Sequence, residues 1–229
     1  MKKFYTKGEL LPVSGLELKF PDSVKDGEKM LKMSLSHFGQ SDDRNRALWI
    51  SGSKVVGDLD FPPQSDSWLE DHDVGIVVFD GDLTIEGDLI NGDSGKGKVF
   101  LVVTGTLTLR NWFRGGAISW IGGDVVASGC LVGEYNDSAL FVGGDLCAKG
   151  GYIHRRKPYP DFSDIEPHQV GGKIMARSFD ASRENISSDE FRETFVAEVL
   201  EDDEDGVWYD SAKLMEHCSQ GLSIWRTQE

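Results

Sequence analysis

Four aspartates, Asp58, Asp82, Asp124 and Asp145, each follow a glycine inside the same short phrase, and Thr106 and Lys173 take that position in two further copies. A row of carboxylates on one surface can hold cations, receive a basic partner or carry proton transfer. An aspartate beside a glycine corner also serves a plainer purpose, accepting hydrogen bonds from the turn backbone. If the phrases stack as strands, Asp124 and Asp145 stand one strand spacing apart, about 4.8 Å. Paired carboxylates at short spacing are the machinery of glycoside hydrolysis. A second concentration of acid, Glu201, Asp202, Asp203, Glu204 and Asp205, lies near the end of the chain. Together with Asp124 and Asp145, these five are the candidate contacts for a cationic protein partner.

Other chemistry is thinly supported. His37, His72, His154, His168 and His217 are scattered without the spacing that joins metal ligands, so neither a metal centre nor another cofactor is expected. Cys130, Cys147 and Cys218 are odd in number, and Cys130 and Cys147 fall at outward positions that do not stack. Reduced thiols are the expectation. No phosphate-binding glycine loop and no nucleophile elbow is present. One dense basic cluster, His154-Arg155-Arg156-Lys157, begins the longest insertion between phrases.

The elements that must position these residues follow from the phrase itself. It reads Phe79-Asp80-Gly81-Asp82-Leu83-Thr84-Ile85, then Val103 to Leu109, Ile121 to Ala127, Val142 to Ala148 and Val170 to Ala176, with a degenerate earlier copy at Val55 to Phe61. Counted from the central glycine, positions −2, +2 and +4 are apolar in every copy, and the copies are separated by 24, 24, 18, 21 and 28 residues. Period-two alternation rich in Val, Ile, Leu and Thr predicts strands, and a fixed glycine at each copy predicts a corner with positive φ. A second corner is expected six residues on, at Gly87, Asn111, Gly129 and Gly150, with Ser178 in the last copy. The inward side chains two beyond it are then Leu89, Phe113, Leu131 and Tyr152. Repetition near twenty residues is the signature of a solenoid. The fold expected is all-β, a parallel β-helix wound as a right-handed solenoid, with an N-terminal β cap and a C-terminal helical cap.

Three regions result: a cap over 1–48, the β-helix over 49–180 and an acidic helical cap over 181–229. In the first, Leu16 to Phe20 and Met30 to Leu35 alternate as edge strands. In the last, Ser187 and Glu190 form a capping box ahead of Phe191, Phe195, Val196 and Val199 at helical spacing, ended by the acidic run. Asp210 caps a second helix whose apolar face is Ala212, Met215 and Cys218, stopped by Gly221. This region is expected to cover the C-terminal end of the solenoid. Trp112, Trp120, Trp208 and Trp225 are expected to pack first and to contact second.

Charge narrows the partner. The chain of 229 residues carries 39 acids against 24 bases, net −15, and 181–229 alone holds thirteen acids and four bases, net −9. Such a surface repels nucleic acid and anionic membrane and attracts basic proteins. No apolar run follows Met1 to Glu9 and no span-length apolar stretch occurs, so a cytoplasmic protein is expected.

The Gly-Asp-Leu phrases with six-residue arms, over about 75–176, resemble the bactofilin-like, polymer-forming group of β-helix proteins. That resemblance implies self-association of a structural protein. The small, acidic β-helix also resembles, in general character, the immunity proteins of bacterial polymorphic toxin systems. This second resemblance implies a non-enzymatic protein that sequesters a basic toxin domain such as a nuclease. The phrase Val142 to Cys147 is similar to the repeat of hexapeptide acyltransferases, so a carbohydrate- or acyl-active enzyme is the third expectation. Sequestration of a basic partner is the leading one.

Overall fold

The computed structural model describes residues 8–18, 22–24, 29, 32–33, 45–55, 57–60, 68–91, 99–115, 118–133, 139–154, 168–181, 183, 186–204 and 206–227. The chain is mostly β, and parallel pairing dominates it. Three ladders of strands follow one another in sequence and recur with each copy of the phrase. The first runs through Ile76–Phe79, Phe100–Val103, Ser119–Ile121, Leu140–Val142 and His168–Val170. The second runs through Leu83–Thr84, Leu107–Leu109, Val125–Ala127, Leu146–Ala148 and Ile174–Met175. The third joins Leu59–Asp60, Leu89–Asn91, Trp112–Arg114, Cys130–Gly133, Gly151–His154 and Ser178–Asp180. One long strand, Val74–Ile85, serves both the first and second ladders, bending at Gly81, which has φ +94°.

The expected inward positions hold from Phe79 to Ala148; in the last copy Val170 and Ala176 are half-buried and Ile174 is exposed, and Phe61 of the first copy lies outside the described residues. Phe79, Val103, Ile121 and Val142 from the first ladder are buried in one cluster with Leu83, Leu107, Val125 and Leu146 from the second. Ile85, Leu109, Ala127 and Ala148 join them, and Leu89, Trp112, Leu131 and Tyr152 come from the third. Stacking like positions at one strand spacing buries each column between its neighbours, which supplies the apolar burial that holds the repeats together.

Two details of register differ from expectation. The third-ladder column reads Leu89, Trp112, Leu131, Tyr152, so Trp112 points inward and Phe113 outward. The corner between Leu109 and Trp112 is one residue shorter than its neighbours, and Arg110 stands where Gly87 and Gly129 stand, bonded to both through the backbone. The copy at Val55 to Phe61 is displaced by a whole corner. Leu59 pairs with Leu89, while Ser53 and Val55 pair with Leu83 and Ile85. Both corners carry the phrase Gly-Asp-Leu, as Gly81-Asp82-Leu83 and Gly87-Asp88-Leu89, so Gly57-Asp58-Leu59 fits either by sequence. Hydrogen bonding assigns it to the second, because Gly87 N–H donates to Gly57 O.

Apolar residues also line the outer sides of two ladders. Ile76, Val78, Phe100, Val102, Trp120 and Phe141, on the outside of the first, form a cluster with Val13 and with half-buried Leu16 and Leu18. The N-terminal strand is Glu9–Pro12, antiparallel to Arg46–Trp49. Leu16–Leu18 is not a strand but lays side chains on that outer surface; most of the second expected strand, Met30 to Leu35, falls outside the described residues, and the two that are described, Lys32 and Met33, are helical. Phe113, Val132, Ile153 and Phe179, on the outside of the third ladder, are covered by Phe191, Phe195, Leu214 and Trp225 of the tail. The tail therefore lies along a flank rather than over the C-terminal end. Ile174 and Met175, the last strand of the second ladder, remain 42 % and 49 % exposed.

The tail itself is part helix, part hairpin. Ser187 caps Ser188–Thr194 as expected, its Oγ accepting from Glu190 N–H at 3.1 Å. That helix stops at Thr194, and Phe195 bridges to Trp225. The acidic run then forms a strand, Leu200–Asp203, antiparallel to Gly206–Tyr209, instead of ending a helix. Asp210 caps Ser211–Ser219 through bonds from the Ala212 and Lys213 N–H groups. The buried face of that helix is Leu214 and Cys218, with Ala212 exposed. Gly221, at φ +74°, ends it.

Candidate functional site

The aspartate column is first of all a set of stitches. Asp82 Oδ1 accepts Thr106 N–H at 2.8 Å, Asp124 Oδ1 accepts Asp145 N–H at 2.8 Å, and Asp145 Oδ1 accepts Lys173 N–H at 2.7 Å. Each carboxylate thus reaches across to the equivalent residue of the next copy. The glycine requirement follows from this. A Cβ on Gly144 would collide with Asp124 Oδ1, and one on Gly172 with Asp145 Oδ1. Most corner glycines are there to let a side chain lean over them; among the phrase glycines, positive φ is confined to Gly57 and Gly81. Asp58 belongs to the other corner, where its Oδ1 accepts Asp88 N–H at 2.8 Å.

Asp124 is exposed and Asp145 half-buried, so each still offers charge to solvent after its stitch is made. This separates two roles experimentally. Asp145→Asn keeps an Oδ1 acceptor and is expected to change stability by no more than about 0.5 kcal/mol, whereas Asp145→Ala is expected to cost about 1 kcal/mol. Urea denaturation of the two variants measures the difference, and equal losses would contradict the stitch.

The acidic run is presented differently. Across the hairpin Glu201 stands opposite Trp208, Asp202 opposite Val207 and Asp203 opposite Gly206. Directly opposite residues share a face, so Glu201 and Trp208 project together while Val207 is buried beneath. Trp208 is 43 % exposed, its ring 5.4 Å from Phe191, and Glu201, Asp202, Asp203 and Glu204 are all exposed. Arg192 donates to Asp202 at 2.7 Å, and Asp203 Oδ1 accepts Gly206 N–H at 3.1 Å to close the turn. Arg192 offsets one of the four exposed acids, Glu201 to Glu204, so the patch stays negative. Asp205 lies outside the described residues, as do Arg155, Arg156 and Lys157 of the basic cluster.

Two polar clusters were not evident from spacing. At the second corner, buried Asp88 accepts from Arg110 Nε at 2.7 Å, Asn111 Nδ2 at 2.8 Å and Ser219 Oγ at 2.9 Å, tying body to tail. Burial pushes the Asp88 carboxyl up, but the bonds from Arg110, Asn111 and Ser219, and the Arg110 charge, hold it below the usual aspartate range. At the far end of the third ladder, His154 and His168 come within 6.1 Å of each other despite their separation in sequence. Tyr152 Oη bonds His168 Nδ1 at 3.0 Å, and His154 faces Asp180 at 3.7 Å. Buried Arg114 donates to Ala139 O at 2.6 Å, and loss of hydration pulls its guanidinium down to about 10. Among the described residues no group of His, Cys, Asp and Glu has the arrangement to hold a metal ion. No helix among them is long and apolar enough to cross a membrane.

Comparison with family models, with curated proteins and with solved structures returns no match to this chain. Function must therefore be argued from the geometry.

Proposed function

We propose that this chain is a non-enzymatic, acidic binding protein that sequesters a basic protein partner, as immunity proteins do with a toxin domain such as a nuclease. The three ladders are read as successive faces of a right-handed parallel β-helix, a rigid body that carries the tail. The observation that carries the proposal is the hairpin: an exposed tryptophan opposite Glu201, on a turn where Asp202, Asp203 and Glu204 are exposed as well. Aromatic anchors inside a charged rim are the usual composition of interface hot spots. The net charge of −15 draws a cationic domain toward the surface, and a preformed hairpin avoids much of the ordering cost on contact.

The test is a complex with a purified basic toxin domain, measured by calorimetry at two salt concentrations. Replacing Glu201, Asp202, Asp203, Glu204 and Asp205 by their amides is expected to weaken binding about tenfold or more and to flatten its salt dependence. Trp208→Ala is expected to cost about 2 kcal/mol of binding, roughly thirty-fold. Unchanged affinity in both variants, with the fold intact by circular dichroism, removes the hairpin as the contact.

A second reading, a self-assembling structural protein, has one specific observation behind it. Strand Ile174–Met175 ends the second ladder with its apolar side chains exposed, and an open strand edge can pair with another chain. Filaments in electron micrographs at low salt would favour assembly over sequestration.

A further inference from the structure

Cys130, on the third ladder, and Cys218, on the last helix, are both buried, and each thiol lies near enough to shift the titration of the other. Asn111 holds the two segments together from beneath. Its Oδ1 accepts Cys130 N–H at 2.8 Å, and its Nδ2 donates to Cys218 O at 3.2 Å. A surface cleft lined by both cysteines, Arg110, Lys149 and Leu222 leads to the pair. The three flanking side chains are partly or fully open to solvent, which gives a small molecule a route to the sulfurs. Cys147 sits apart, half-buried on the outer side of the second ladder.

We infer that Cys130 and Cys218 form a reversible thiol–disulfide site, oxidised by a hydroperoxide, that locks the tail onto the third ladder. The Cys130 thiolate attacks a peroxide oxygen, the O–O bond breaks, and Cys130 becomes a sulfenic acid while the leaving hydroxide takes a proton to give water. Cys218 sulfur then attacks Cys130 sulfur, the S–O bond breaks, a second water leaves with the Cys218 proton, and the S–S bond forms. Two thiols lose two electrons and one hydroperoxide is reduced to two waters when it is hydrogen peroxide. The order of attack follows from the environment. The neighbouring Cys218 thiol draws the Cys130 thiol below its usual value, against burial and the nearby Asp88 charge. The Cys130 thiol, burial and the neighbouring negative charges push Cys218 up. A lowered thiol attacks and its raised partner resolves.

The experiment treats the folded full-length chain with hydrogen peroxide, blocks remaining thiols by alkylation and maps the peptides by mass spectrometry. A peptide joining Cys130 to Cys218, two hydrogens lighter, with Cys147 still alkylated and the link reversed by dithiothreitol, is the expected result. Amide exchange across Ser211–Ser219 should slow about tenfold or more in the oxidised form, because the cross-link removes the tail's independent opening. In Cys218→Ser, dimedone should trap a sulfenic acid on Cys130. Oxidation falling on Cys147, thiols at Cys130 and Cys218 that alkylate only after unfolding, or a sulfinic acid on Cys130 without a link would each overturn the site. The wild-type map decides the matter even where a variant folds poorly.

Discussion

Trp112→Ala is expected to lose about 4 kcal/mol of stability, among the largest effects of any single change in this chain. The indole is fully buried, stacked in register between Leu89 and Leu131, with the Arg114 guanidinium 5.3 Å from its ring. Truncation removes the transfer free energy of nine ring atoms and leaves a void that parallel strands on both sides cannot close. For a chain of this size the unfolding midpoint should fall by roughly 12 °C. Trp208→Ala, at 43 % exposure, should move it by no more than about 1–2 °C, since surface changes stay near 0.5 kcal/mol. Scanning calorimetry on the two variants checks the contrast. A loss below about 1 kcal/mol at Trp112 would mean that it does not face the interior.

That contrast also marks how far the sequence could be read. Alternation around a glycine predicted the inward residues of the second ladder from Leu83 to Ala148, because only one side of that ladder is covered, while Thr108 and Val126 face solvent. The outer surfaces of the other ladders went unread although their signal was present. Ile76-Val77-Val78-Phe79 and Phe100-Leu101-Val102-Val103 are continuous apolar runs, the pattern of strands buried on both sides. Such runs require something to cover them, which is what the N-terminal segment and the tail do. The slip at Trp112 comes from a corner one residue short, in which Arg110 takes the place of the glycine. The displaced copy at Gly57 has another cause: when two corners carry the same Gly-Asp-Leu phrase, side-chain pattern cannot tell them apart, and only the backbone ladder decides.

The candidate site was legible in part. Glu201 to Glu204 were singled out by charge, yet the Asp205-Gly206 pair followed by Val207-Trp208-Tyr209 is itself a hairpin signal. Strand propensity downstream and the turn chemistry of Asp-Gly outweighed the helical spacing of Phe191, Phe195 and Val199, so the chain turns back instead of continuing as a helix. Asp88 was within reach, since it repeats the environment of Asp82 one corner later. The meeting of Cys130 with Cys218, and of His154 with His168, was not. Those contacts depend on how the tail and the insertions fold back on the ladders, and no local period encodes that.

Asp88 gives the second large effect, and it carries a pH signature. Asp88→Asn removes a buried charge that satisfies Arg110, Asn111 and Ser219 at once. The amide keeps an Oδ1 for Arg110 Nε and Asn111 Nδ2, but it withdraws the charge that pairs with Arg110 and turns the acceptor of the Ser219 hydroxyl into a donor. About 3 kcal/mol is expected at neutral pH, with the tail loosening first because Ser219 is its only link to this carboxylate among the described residues. The native carboxyl titrates below its unfolded value of 3.8. Its stabilising contribution is therefore complete above that value and drains away as the pH falls through the lower native one. The gap between wild type and Asp88→Asn should accordingly be constant from pH 7 to about 5 and narrow progressively below about 4. Urea midpoints across that range measure it. A gap that widens on acidification would mean that Asp88 is held protonated in the folded chain, and the corner would then be fastened by Asn111 and the glycine contacts alone.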